Sequence, residues 1–282
     1  MAVLQDKSGA SPGSQGARMI FNPPVELVEK EMLLPDLCRL KLHAPLIAKR
    51  ALPGNFVQIK VSDSLDPVFR RPMSIHNCED ETFEMVFRVI GRGTQLLAEA
   101  LPGRKFDCLG PLGNTFEIPE TDETAVMIAG GVGLPPLYFL SRFLIERHRI
   151  EPSRVLFLLG IRDKTELIVG ADAEKLGVEM KYSTDDGTHG FHGFVTALFE
   201  DIYARRLRNS KMRVYSCGPT PMMQALSRIA LSFKLPCQLS LEGAMPCGVG
   251  TCLGCAVKLR AKDEYLRVCQ EGPVFNAEEI EL

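Results

Sequence analysis

The chain has 282 residues, 45% of them hydrophobic and 24% charged, with a net charge of −2. That length suggests about two domains, large enough to form cores without disulfide staples, and the weak charge directs no field at nucleic acid or an anionic membrane. No apolar run approaches the ~20 residues that span a bilayer, and nine cysteines behind a start with no secretion signal point to a reducing, cytoplasmic setting where some thiols hold metal.

Residues 1–18 are rich in Ser, Gly, Ala and Gln and read as a flexible tail. From 19 to 119 the pattern is short strands and turns, with strand candidates at 24–33, 37–42, 55–61, 71–77 and 82–89. The alternation predicts an antiparallel barrel or sandwich. A helix is expected at 94–100, opened by Gly91-Arg92-Gly93, and the run 105–109 leads into GPLGN. Two devices in this segment suit an anion. Arg71 carries a fork of donors able to clamp a pyrophosphate, with Ser74 three residues on for a flavin ring. The free N–H groups at the start of the helix can meet a second phosphate oxygen. Alone, Arg71 reads equally as an exposed arginine beside a half-buried strand.

Residues 120–236 change texture. Apolar strands at 124–129, 155–161, 179–183 and 212–216 alternate with helices at 137–148, 195–206 and 220–233. This order predicts a parallel sheet covered by helices. The first strand runs into Gly130-Gly131-Val132-Gly133-Leu134-Pro135-Pro136, where Gly131 and Gly133 allow a pyrophosphate to approach backbone amides. The motif is G-x-G-x-x-P, a weak signal by itself. After the second strand, Asp163 could bind the ribose hydroxyls of NAD or cap a helix, and Arg162 could meet the extra phosphate of NADP. Cys217, in Ser216-Cys217-Gly218-Pro219 at a strand end, can flank a nicotinamide ring or sit in a buried turn.

The last segment, 237–282, reads as a compact cysteine-rich module. Cys247, Cys252, Cys255 and Cys269 follow the spacing C-x4-C-x2-C-x13-C. A zinc ribbon usually brings two C-x2-C pairs, and here there is one. The spacing is instead the plant-type [2Fe–2S] arrangement. Glycines between the cysteines let the loop curl and aim amides at sulfur. The remaining cysteines, Cys38, Cys78, Cys108, Cys217 and Cys237, are scattered and read as small buried hydrophobes.

RRPMS, GRGT, GPLGN, GGVGLPPL, STDDG and CGPTPMM together resemble the ferredoxin–NADP reductase superfamily. Within it, SLEGAMPCGVGTCLGCAVK and RVCQEGPVF resemble the electron-transfer subunits of NAD-dependent dihydroorotate dehydrogenases, and the likeness runs from about residue 20 to the end. The resemblance implies a multi-domain fold: an antiparallel β-barrel for FAD, an α/β parallel-sheet domain for NAD, and a small C-terminal [2Fe–2S] module. It implies that Arg71, Pro72, Met73 and Ser74 bind the flavin, that Val86, Phe87 and Arg88 touch FAD, and that Gly93 and Thr94 contact its pyrophosphate. It implies that Cys247, Cys252, Cys255 and Cys269 ligate the cluster, with NAD as an exchangeable substrate. It also implies a partner, an FMN-containing catalytic subunit in a heterotetramer of two plus two, from which electrons pass through the cluster and FAD to NAD+ in pyrimidine synthesis. Gly243-Ala244 departs from the family, which often has a charged residue after SLE.

Overall fold

The computed structural model describes residues 24–282, so the expected tail 1–18 and the first five residues of the expected barrel lie outside the described residues. The N-terminal part consists of β1 (Pro24–Leu34), β2 (Leu37–His43), the short α1 (Pro45–Ala48), β3 (Phe56–Ile59), β4 (Arg71–Ser74), β5 (Asn77–Glu79), β6 (Thr82–Arg88), α2 (Arg92–Glu99) and β7 (Lys105–Leu112). The strands form one antiparallel sheet in the order β4-β3-β7-β1-β2-β6-β5. Its two end strands are consecutive in the chain, and the His76 amide donates to the Glu84 carbonyl (2.8 Å), which closes the sheet into a barrel. β6 shows why the residues form a strand. Phe83, Met85 and Phe87 point into the barrel core, while Thr82, Glu84, Val86 and Arg88 stay partly accessible. The strand expected at 71–77 is two strands, and the helix expected at 94 begins two residues earlier, at Arg92.

The second sheet holds β8 (Thr124–Gly130), β9 (Val155–Ile161), β10 (Glu179–Thr184), β11 (Phe191–His192), β12 (Met212–Cys217) and β13 (Cys237–Ser240). Around it pack α3 (Leu134–Glu146), α4 (Ala171–Glu174), α5 (Val195–Ile202) and α6 (Thr220–Phe233). β8 and β9 are nearly continuous apolar runs, and β12 is buried at all but Arg213, because helices cover both faces of the sheet. The strand order is β11-β10-β9-β8-β12-β13, all parallel, with β16 added antiparallel at the end. Successive strands are added in one direction from β8 through β9 and β10, and in the opposite direction from β8 through β12 and β13. The crevice between the carboxyl ends of β8 and β12 is therefore the switch point where such sheets bind ligands.

The last segment is β14 (Ala256–Leu259), β15 (Tyr265–Arg267), β16 (Val274–Asn276) and β17 (Ile280–Glu281). The cysteine-rich pattern predicts one compact module from Cys237 onward, and here the structure differs. β13 and β16 extend the parallel sheet, and only β15-β14-β17 form a sheet of their own. β13 is a four-residue run whose Cys237, Gln238, Leu239 and Ser240 are all buried, because it lies between β12 and β16 in the large sheet. The GPLGN turn latches the return of the chain. The Asn114 side chain donates to Glu271 O (2.8 Å) and Val274 O (2.7 Å) and accepts from Val274 N (2.9 Å).

Candidate functional site

Arg71 begins β4, and its guanidinium lies over the first turn of α2. A Cβ on Gly93 would strike Arg71 Nε, so glycine is the residue that admits the arginine there. The structure thus brings together the two anion-binding devices that the sequence placed about twenty residues apart. Nη1 of Arg71 donates to the carbonyls of Phe69 (2.8 Å) and Arg70 (3.3 Å), leaving Nη2 for an incoming oxygen. The Thr94 hydroxyl is used within the loop. It accepts from Ile90 N (3.0 Å) and Gly91 N (3.2 Å) and donates to Gly91 O (3.0 Å). The amides of the first helical turn have no intrahelical partner, and with the guanidinium they form a cradle that fits a pyrophosphate.

The other residues expected at a flavin separate by face. Pro72 lies opposite Gln58, and Ser74 opposite Phe56, on β3, so these four side chains share one side of the sheet. Met73 and Phe87 are instead buried in the barrel core. Val86 packs on the core of the parallel sheet. Arg88 is committed to ion pairs, with Asp36 (2.5 Å) and Glu166 (2.8 Å), at the junction of barrel and parallel sheet.

A cavity of about 630 Å³ opens at the switch point of the parallel sheet. Gly131 and Gly133 line it, as do Gly160, Ile161 and Arg162 from the end of β9 and Gly218 and Pro219 from the end of β12. Asp163 is absent from its lining. Its Oδ1 accepts from Thr165 N (2.8 Å) and Thr165 Oγ1 (2.5 Å), the capping alternative left open by the sequence. The acidic residue that does line the cavity is Asp185, after β10. The STDDG stretch displayed it, but nothing in the spacing tied that loop to the end of β9. Arg162 is held by Glu166, a carboxylate buried at 3% exposure. Burial would raise the Glu166 pKa, but hydrogen bonds and charge from Arg162 and Arg88 outweigh it and hold the carboxyl below its usual range.

Cys217 is buried at the end of β12, and burial first, then the nearby Glu242 charge, pushes its thiol well above the ordinary value. Its thiol belongs to the buried core and is absent from the lining of the cavity, which its neighbours Gly218 and Pro219 reach instead, so the buried-turn alternative describes it. Glu242 lines the same cavity, and the walls around it raise its carboxyl pKa although the residue keeps solvent contact.

The four late cysteines are free thiols carried by the loop after β13 and the turn after β15. They fall into two pairs. Cys269 N donates to Cys255 Sγ (3.4 Å), and Cys247 and Cys252 share a hydrogen bond between their side chains. Among the described residues no three or more Cys, His, Asp or Glu side chains gather as a single-ion site. Two pairs of thiols fit two irons, one pair to each, better than one tetrahedral zinc. Amides already point at sulfur: Gly250 N at Cys269 (3.2 Å) and Gly254 N at Cys252 (3.4 Å). Burial opposes ionisation of Cys247, but the N–H groups of Val249, Cys252 and Thr251 and the Cys252 thiol overcome it and draw the pKa down to about 6. Cys269 is pushed up to about 12 by burial and by Cys255, so binding a metal there would release its proton. Burial likewise pushes Cys78, Cys108 and Cys237 up to about 12, which suits inert core thiols.

The cysteine loop rests on the barrel. Gln58 of β3 is fully buried and its Nε2 donates to Met245 O (2.9 Å), two residues before Cys247. Phe56 and Leu112 of the barrel share a core with Met245, Cys255, Val257, Val268 and Cys269. This is the side of the sheet that carries Pro72 and Ser74.

Comparisons with known proteins agree with this layout. Residues 242–281 match the model of the iron–sulfur cluster binding domain of dihydroorotate dehydrogenase B, and 127–228 match that of an oxidoreductase NAD-binding domain. The chain is 37% identical over 265 residues to the electron transfer subunit of dihydroorotate dehydrogenase B (NAD(+)) of Lysinibacillus sphaericus, covering 91% of this chain and 97% of that one. It is 33% identical over 260 residues to the subunit of the same description from Fusobacterium nucleatum, covering 90% and 96%. Among solved structures it superposes on an NADH-dependent reduced ferredoxin–NADP oxidoreductase described for flavin-based electron bifurcation, with a TM-score of 0.79, 28% identity, and 95% and 91% of the two chains covered. A ferredoxin–NADP+ reductase from Neisseria gonorrhoeae with bound FAD and NADP shares the fold, with a TM-score of 0.64, 18% identity, and 75% and 91% coverage.

Proposed function

The chain belongs to the family of electron transfer subunits of NAD-dependent dihydroorotate dehydrogenase B, and from that membership we propose that it carries electrons from a dihydroorotate-oxidising partner to NAD+ in pyrimidine biosynthesis. FAD and a [2Fe–2S] cluster supply the redox chemistry when bound, the flavin exchanging pairs of electrons with nicotinamide and the cluster passing them singly. The residues of this chain supply position and environment. Arg71 and the amides of the first turn of α2 hold the FAD pyrophosphate, and Pro72 and Ser74 present the flavin face of β4. Gly131 and Gly133 let the NAD pyrophosphate approach the backbone, and Gly218 and Pro219 line the cavity beside them at the end of β12. Cys247, Cys252, Cys255 and Cys269 hold the cluster.

The observation that carries this reading is the packing of the cysteine loop against the same side of the sheet that bears Pro72 and Ser74. The arrangement gives the cluster a task beside the flavin. Its outer rim is exposed, with Leu253 at 65%, and there we place the partner, an FMN-containing catalytic subunit, in a cytoplasmic complex of two plus two. No helix among the described residues is long and apolar enough to cross a membrane.

Anaerobic purification with and without the catalytic subunit tests the proposal. The expected result is stoichiometric FAD, two irons per chain, and dihydroorotate-dependent NAD+ reduction only in the complex. Zinc without visible absorption, or full dihydroorotate oxidation by this chain alone, refutes it.

A further inference from the structure

Gln58 stands in an unusual place for an amide. It is fully buried, yet only its donor half is satisfied: Nε2 reaches Met245 O at 2.9 Å, while Oε1 has no partner among the described residues. Leaving a buried acceptor unpaired costs about 1–3 kcal/mol. A methionine or leucine would fill the same volume without that cost, so packing alone does not account for the residue.

Its neighbours on both sides are the two halves of the relay. In the strand register Gln58 lies directly opposite Pro72, in the middle of the flavin strand. On the other side its Cγ, Cδ and Nε2 press against Gly248, which sits next to Cys247 at φ +69. Any side chain at 248 would collide with Gln58 as well as strain the backbone. The barrel therefore grips the cluster loop at both ligand arms. Gln58 holds Met245, ahead of Cys247, and Asn114 holds Glu271 and Val274, beyond Cys269. Only the first of these grips also touches the strand that carries Pro72 and Ser74.

We propose that Gln58 is a positioning residue for electron transfer, which fixes the cysteine loop against the flavin strand and thereby sets both the flavin-to-cluster rate and the surroundings of the cluster sulfurs. This rests on the functional reading above. Met245 to Gly248 leads directly into the turn whose amides meet Cys247, so releasing Met245 O changes how those N–H groups face sulfur, and with them the potential.

The test compares wild-type holoprotein with Gln58→Met, which keeps the volume and loses the hydrogen bond, and Gln58→Asn, which keeps the amide one methylene short of Met245. Flavin and iron content and NADH-driven flavin reduction should be unchanged. Electron transfer from flavin to cluster, followed by stopped-flow absorption, should slow by about tenfold in Gln58→Met, the low end of what losing an outer-shell partner costs. The cluster's midpoint potential and electron paramagnetic resonance line shape should shift, and amide hydrogen exchange over 245–250 should rise. Gln58→Asn should fall between the two, and serves alone if the methionine variant does not fold. Wild-type rate, potential, line shape and exchange in either folded variant overturn the inference. Absence of a two-iron cluster from the wild-type protein would instead overturn the functional reading on which it rests.

Discussion

The cradle formed by Arg71 and Gly93 can be tested as a unit. Gly93→Ala introduces a Cβ into the space occupied by Arg71 Nε and displaces the guanidinium, without removing any charge. Arg71→Ala removes the guanidinium outright. Charge-assisted hydrogen bonds of this kind contribute about 1.5–3 kcal/mol, so each single change should weaken FAD binding by about 10- to 150-fold. Both changes abolish the same contacts. The double variant should therefore lose no more than the worse of the two singles, with a coupling energy about as large as the smaller effect. The assay is equilibrium release of FAD read by its fluorescence, with a thermal melt confirming that each variant is folded. Additive losses would show that Arg71 and the start of α2 act on different parts of the ligand. Unchanged affinity in Gly93→Ala would show that no phosphate sits there.

Three further outcomes are expected. Cys252→Ser should leave NADH reduction of FAD intact but abolish electron flow to the catalytic subunit, measured as dihydroorotate-dependent NADH formation in the complex. Asp185→Ser should raise the ratio of kcat/KM for NADPH over NADH by at least about tenfold, because a carboxylate in the cavity wall repels a 2′-phosphate. His76 should make the fold acid-sensitive. It is buried against Tyr138, with ring centroids 4.4 Å apart, and burial depresses its pKa more than the bond to Asp172 raises it, with Arg39 and Glu84 as the other charges around it. Its folded pKa lies below the unfolded value of about 6.5, so its contribution is complete above that pH and declines as pH falls toward the folded pKa. Denaturant melts between pH 7 and 5 should show this decline in the wild type and a flatter profile in His76→Gln.

The strands with clean periodicity were readable in the sequence because one short-range pattern decides them. β6 alternates, β8 and β9 are unbroken apolar runs, and the cysteine spacing alone favours a cluster over a zinc ribbon. What escaped was decided by distant partners. Gln58 and Met245 are 187 positions apart, and nothing local to Gln58 marks it as anything but a polar residue in a strand. β13 looked like the start of a module because its pairing with β12 is not written in either strand. The resemblance implies that Phe87 and Arg88 both touch FAD, yet the two-residue period of a strand sends them to opposite faces, one into the barrel and one to an ion pair with Glu166. Asp163 and Asp185 are both acidic residues beyond a strand, and only the folded chain shows which one is spent as a cap.

The pairing of β13 with β16 has a consequence for how this chain can be taken apart. Both ends of the cysteine-bearing stretch are sewn into the neighbouring sheet, so residues 241–273 are an insertion between two hydrogen-bonded strands and not a tail hung from the end. Truncating the chain at the entry of this segment also removes β16 and strips β13 of its outer neighbour, so the cysteine-bearing stretch is not a freestanding carrier that can be cut off without cost to the sheet. The electron outlet and the nucleotide sheet therefore share their hydrogen-bonded edge, and the order of one depends on the other.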